Sequence, residues 1–76
     1  MGRTVNDYID KGAVKVIEVI GVSDDGFEDA VRQAVAKAAE SVSGITGVEV
    51  QSFNAKVVDG EVTQYRASVK LAFTVR

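Results

Sequence analysis

The sequence predicts an α+β domain, a β-α-β-β chain in which one amphipathic helix packs on a three-stranded antiparallel sheet of order 1-3-2. Three observations carry that prediction. A β-branched run from Val14 ends at Gly21, an apolar stripe with helical period follows between Asp24 and Val42, and two strand-like segments meet at Asp59-Gly60. The helix has too little apolar surface to cover all the apolar strand faces, so the sheet is expected to be covered by further copies of the chain.

The first strand is expected over Val14–Gly21. Its two faces read Val14, Val16, Glu18, Ile20 and Lys15, Ile17, Val19, both largely apolar. A strand exposed on one side alternates more cleanly, which argues for cover on both sides. Glu18 interrupts one apolar face, and an unpaired buried charge is costly, so Lys70 or Arg66 is its expected partner.

Val22-Ser23 is expected to turn the chain into a helix over Asp24–Val42. Ser23 suits the N-cap because its hydroxyl can accept a hydrogen bond from a free amide of the first turn. Asp24, Asp25, Glu28 and Asp29 complement the positive end of the helix dipole. Phe27, Ala30, Val31, Ala34, Val35, Ala38 and Val42 recur at three- and four-residue steps and form one apolar stripe. Ser43-Gly44 is the expected helix stop, with Gly47 serving the start of the next strand.

The second strand, Val48–Val58, changes phase: Val48 and Val50 share one parity, whereas Phe53, Ala55 and Val57 share the other. Such a switch predicts a bulge near Gln51-Ser52. Asp59-Gly60 favours a tight hairpin because both residues tolerate positive φ. In the third strand Tyr65, Ala67, Val69, Leu71, Phe73 and Val75 occupy one face, the face expected to pack on the helix, with the Tyr65 hydroxyl at its rim. A crossover helix leaves strands one and two parallel, and the hairpin reverses strand three; inserting it between them makes every pair antiparallel. Strands one and two are then apolar edges, which again calls for a second copy.

Composition narrows the chemistry. The chain has 76 residues, no cysteine and no histidine, which excludes Ser-His and Cys-His nucleophilic systems, thiolate metal sites and disulfides. A chain this short buries only about 60% of its unfolded surface, so oligomerisation is the reinforcement left to it. A net charge of −2 argues against a nucleic-acid partner, which needs a concentrated basic face. No segment approaches a membrane span and the start lacks an apolar leader, so a soluble cytoplasmic protein is expected. Residues 1–12 read as a flexible tail and 13–76 as the folded domain.

The run Lys15-Val16-Ile17-Glu18-Val19-Ile20-Gly21-Val22-Ser23, the helix start Phe27-Glu28-Asp29-Ala30, and the hairpin from Asp59-Gly60 through Thr63-Gln64-Tyr65-Arg66 to Phe73 together resemble the dodecins. The resemblance spans about residues 14–76 and rests on order and spacing rather than on any one segment. It implies a hollow homo-dodecamer with cubic symmetry, built from trimers, that sequesters a small ligand and is not an enzyme. The best-known dodecins stack flavin on a tryptophan at the start of the second strand and bind its polar edge with a glutamine of the third. The corresponding positions here are Gly47 and Arg66, so an aromatic platform is lost and an acceptor is replaced by donors. Flavin is accordingly not the expected cofactor, although a flavin-storing dodecin with an atypical pocket stays an alternative, as does a purely structural assembly.

The tryptophan-free chain is more similar to the calcium dodecins. Calcium takes six to eight oxygens. Asp25, Glu28 and Asp29, at i, i+3 and i+4, are the candidate metal ligands; dipole compensation explains the same three residues without a metal. Arg66 likewise has two readings, an ion pair with Glu18 or Glu49, or a hold on a small anion or nucleotide phosphate.

Overall fold

The computed structural model describes residues 12–75, so the expectation of a flexible tail falls, except for Gly12, outside the described residues. Four elements follow one another: β1 (Ala13–Ser23), α1 (Phe27–Ala39), β2 (Ile45–Val58) and β3 (Glu61–Val75). They form a single antiparallel sheet of order β1-β3-β2, as the hairpin and crossover argument requires. No helix among the described residues is long and apolar enough to cross a membrane.

The core is small because the helix is short. Its 13 residues span about 20 Å, against about 50 Å for the 15 residues of β3. Ala30 and Ala34 of α1 are buried against Ala67, Val69 and Leu71 of β3, with Ile17, Val19, Val31, Val35, Ala38 and Ile45 packed around them. This is the β3 face that the alternation assigns to the helix. The layer is thin, with extents of 53 × 25 × 15 Å.

Gly21 is the closest point between helix and sheet. The sequence places the end of the first strand there, but β1 continues, with Val22 and Ser23 paired to Arg66 and Tyr65. A Cβ at Gly21 would lie 1.9 Å from the carbonyl oxygen of Ala30, so the missing side chain is what lets α1 settle on β1. The glycine permits a close approach; it does not stop the strand.

The helix also starts later than expected, and Ser23 does not cap it. Gly26 is the N-cap. The Ser23 hydroxyl accepts from the amides of Asp25 (2.8 Å) and Gly26 (3.4 Å) and donates to the Asp29 carboxylate (2.7 Å). The serine therefore closes the turn between strand and helix, and Asp24-Asp25-Gly26, poor helix formers, remain outside the helix. At the other end α1 stops at Ala39, and Gly44, with φ +78°, turns the chain into β2.

β2 begins at Ile45, so Gly47 lies within the strand, opposite Ala72. The expected phase change is a register shift between Val50 and Ser52, which returns Phe53 and Ala55 to the helix face, opposite Ala67 and Tyr65. A further shift at Lys56/Val57, not foreseen from the sequence, pairs Val57 with Val62 and moves it to the other face. Asp59 (φ 52°) and Gly60 (φ 80°) form the hairpin turn.

Candidate functional site

Among the described residues nothing packs on the sheet face away from the helix, and its cross-strand rungs can be read from the register. Successive rungs are Val16–Ala72–Gly47, Glu18–Lys70–Glu49, Ile20–Ser68–Ser52 and Val22–Arg66–Asn54, followed by Gln64–Lys56. The β1 side of this face is apolar apart from Glu18, and the β3–β2 side is polar from the Lys70–Glu49 rung to the Gln64–Lys56 rung, with Val57 and Val62 beyond it. Val16 is 55% exposed and Ile20 62%.

A concavity of about 550 Å³ lies at one end of this face, lined by Val14, Val16, Gly47, Val48, Glu49, Lys70 and Ala72. Gly47 and Ala72 share a rung and carry almost no side chain, which leaves the floor low between valine walls and the Lys70–Glu49 rung. Gly47 thus lines a hollow, whereas Arg66 does not. Gly47's rung partner Ala72 is six residues along β3 from Arg66, about 20 Å, so one chain does not bring the two candidate residues together.

Within one chain neither proposed ion pair of Arg66, with Glu18 or with Glu49, forms. Its Nε donates to Oε1 of Gln64 at 2.9 Å, and the residues opposite it are Val22 and Asn54. Glu18 and Glu49 lie two rungs away because the strand register, invisible in a linear sequence, places both opposite Lys70. Glu18 and Lys70 face each other without closing to an ion pair; the ion pairs among the described residues are Arg32–Glu28 at 3.7 Å and Lys37–Glu40 at 3.6 Å, both on the exposed helix surface.

The acidic candidates occupy three different settings. Asp25 lies in the turn before α1, so helical spacing does not relate it to the other two. Glu28 is paired with Arg32, and Asp29 accepts from Ser23. Among the described residues, no group of three acidic side chains is placed to hold a metal ion.

An aromatic cluster at the start of the helix was not foreseen. Phe27 lies with its ring centroid 4.8 Å from Phe53 and 5.0 Å from Tyr65, the second contact edge-to-face. Phe53 remains 51% exposed. The phase change in β2 held the signal: once the bulge is placed, Phe53 falls on the helix face beside the first residue of α1.

A family model described as Dodecin matches residues 13–76. No curated protein matches the chain. Among solved structures the chain is similar to the dodecin from Streptomyces coelicolor, at 31% identity over 90% of this chain and 97% of that one, with a TM-score of 0.85. It is also similar to the calcium dodecin from Mycobacterium tuberculosis, described as a calcium-chelating immunodominant antigen with a novel calcium-binding site. That similarity is 32% identity over 86% of this chain and 93% of that one, with a TM-score of 0.75. The dodecin from Streptomyces davaonensis shares the fold, with a TM-score of 0.81 at 20% identity over 84% of this chain and 94% of that one. The match over nearly the whole folded region, with the β-α-β-β order and its 1-3-2 sheet, establishes that the chain belongs to the dodecin family.

Proposed function

We propose that this chain is a non-catalytic subunit of a homo-dodecameric shell built from trimers, and that the shell binds and buffers a small ligand or ion, calcium foremost. One observation carries the assembly: apolar residues lie exposed on the face that the helix cannot reach, with Val16, Ile20, Val22, Val57 and Val62 all uncovered in the single chain. Exposed apolar surface on this scale marks an interaction site, and a chain with so small a core gains stability by covering it with its own copies.

Calcium is favoured over flavin by two features. The similar Mycobacterium tuberculosis protein is a calcium dodecin, and Gly47 leaves no aromatic ring on which a flavin would stack. Asp25, Glu28 and Asp29 are the proposed metal ligands. Because they do not converge within one chain, calcium would take oxygens from more than one copy or from water. Isothermal titration of calcium into the assembled protein, with magnesium as control, tests this. Saturable binding of calcium that weakens in Glu28→Gln and Asp29→Asn supports it, and equal, non-saturable heats for both ions remove calcium from the account.

A further inference from the structure

Residues 1–11 precede the region matched by the family model and carry a helical pattern of their own. Met1, Val5, Tyr8 and Ile9 stand at i, i+4, i+7 and i+8, one stripe of an α-helix, and Arg3, Asp7, Asp10 and Lys11 fall on the opposite side. A segment this short does not hold a helix alone in water, so its apolar stripe needs a surface. The point where the chain enters the sheet supplies one. Ala13 opens β1 opposite Val75, and Val14 and Val16, just beyond it, are walls of the hollow over Gly47 and Ala72. Gly12 has φ +123°, a conformation open to glycine that breaks the extended path, so the preceding chain leaves the line of β1 at this rim. The hollow, about 550 Å³, is flanked by Val16, 55% exposed, and Val48, 46% exposed, and its charged groups are confined to the Lys70–Glu49 border. The dimensions match. A helix over residues 1–11 is about 16 Å long, and the step from β1 across β3 to β2 is about 10 Å. Tyr8 is five residues from Ala13 and so reaches as far as about 18 Å from it, enough to cover the floor at Gly47.

We propose that residues 1–11 dock as a short amphipathic helix on the sheet of their own chain, on the face away from α1, with Tyr8 and Ile9 set in the hollow over Gly47 and Ala72. The two small residues of that rung give the depth a tyrosine ring needs, and the Lys70–Glu49 rung offers partners for its hydroxyl. The charged side of the segment then faces water. The hollow is thereby filled by part of the protein itself, and a free ligand reaches its floor only by displacing the segment. Ile20, Val22, Val57 and Val62 lie away from the hollow and stay available to other copies.

The test uses the full-length chain, which has no cysteine of its own, so a pair of introduced cysteines reports proximity without background. Tyr8→Cys combined with Gly47→Cys should close to a disulfide within one chain, seen as a single-chain band without reductant. It should form at least about tenfold faster than the disulfide of Tyr8→Cys combined with Val57→Cys, at the far end of the same face. In the unaltered chain the ring protons of Tyr8 should show nuclear Overhauser contacts to the methyl groups of Val16 and Val48, and Ile9→Asp should abolish them. Equal rates for the two cysteine pairs, or absence of those contacts, overturns the proposal. So does a disulfide that forms only between chains, since a neighbouring copy would then cover the hollow. Where the paired variants fail to fold, the contacts in the unaltered chain decide alone. Sedimentation of the same samples separates this result from the assembly: an intrachain disulfide in a monomer supports the docked segment and removes the shell, and an intact shell without one does the reverse.

Discussion

Replacing Gly21 with alanine would drive a methyl group into the backbone of the helix. The new Cβ would lie 1.9 Å from the Ala30 carbonyl oxygen and 2.9 Å from both the Ala30 carbonyl carbon and the Ala34 methyl, where ordinary contact begins at 3.4 Å. The shortfall of about 1.5 Å is against main chain, so no side-chain rotamer relieves it and the helix must lift from β1. Lifting it unpacks Ala30 and Ala34, which are 0% and 1% exposed. Overpacking of this kind costs about 1–3 kcal/mol, and a backbone obstruction belongs near the upper end. The alanine also restricts the unfolded chain, which offsets about 0.4–1 kcal/mol. The expected net loss is about 2 kcal/mol, which lowers the urea midpoint by about 1–2 M for a chain with a small m-value. Both proteins are compared at one concentration, because the stability of an oligomer depends on it. A midpoint shift below about 0.3 M would refute the reasoning that Gly21 sets the seat of the helix.

Three other perturbations have defined outcomes. Ser23→Ala removes an acceptor from two turn amides and a donor from Asp29 at a buried position, and should cost about 1–2 kcal/mol in the same denaturation assay; no measurable change would mean that water replaces the hydroxyl. Gly60→Val places a β-branched residue at φ +80° in the hairpin turn and should cost about 1–2 kcal/mol, whereas an unchanged melting temperature would place the turn in another conformation. Riboflavin fluorescence should show weak or no binding to the natural chain, and Gly47→Trp should raise the affinity by about 10- to 100-fold if copies leave room for the ring. Stoichiometric quenching by the unaltered chain at submicromolar affinity would contradict the loss of stacking at Gly47.

The parts of the fold that depend on local pattern are legible in the sequence. Strand order follows from one crossover and one hairpin, and the β2 bulge follows from the change of parity between Val50 and Phe53. What the sequence misplaces depends on contacts between elements. Gly21 looks like a strand end because its packing against Ala30 is a tertiary fact, and Ser23 looks like an N-cap because the same hydroxyl serves a turn just as well. The candidate site divides in the same way. Gly47 is a candidate by its position alone, and the hollow over it depends on Ala72 sharing its rung. The partner of Arg66 depended on register: the expected acids lie beside Lys70, and the contact made is with Gln64 on its own strand.

Sedimentation of the purified chain at micromolar concentration tests the central claim, that exposed apolar sheet surface is covered by copies of the same chain. With a subunit of 8.1 kDa, a twelve-subunit shell should sediment as one species of about 97 kDa that persists on dilution. A monomer or a dimer under those conditions would contradict it, because the uncovered faces around Val16, Ile20 and Val57 would then be stable in water.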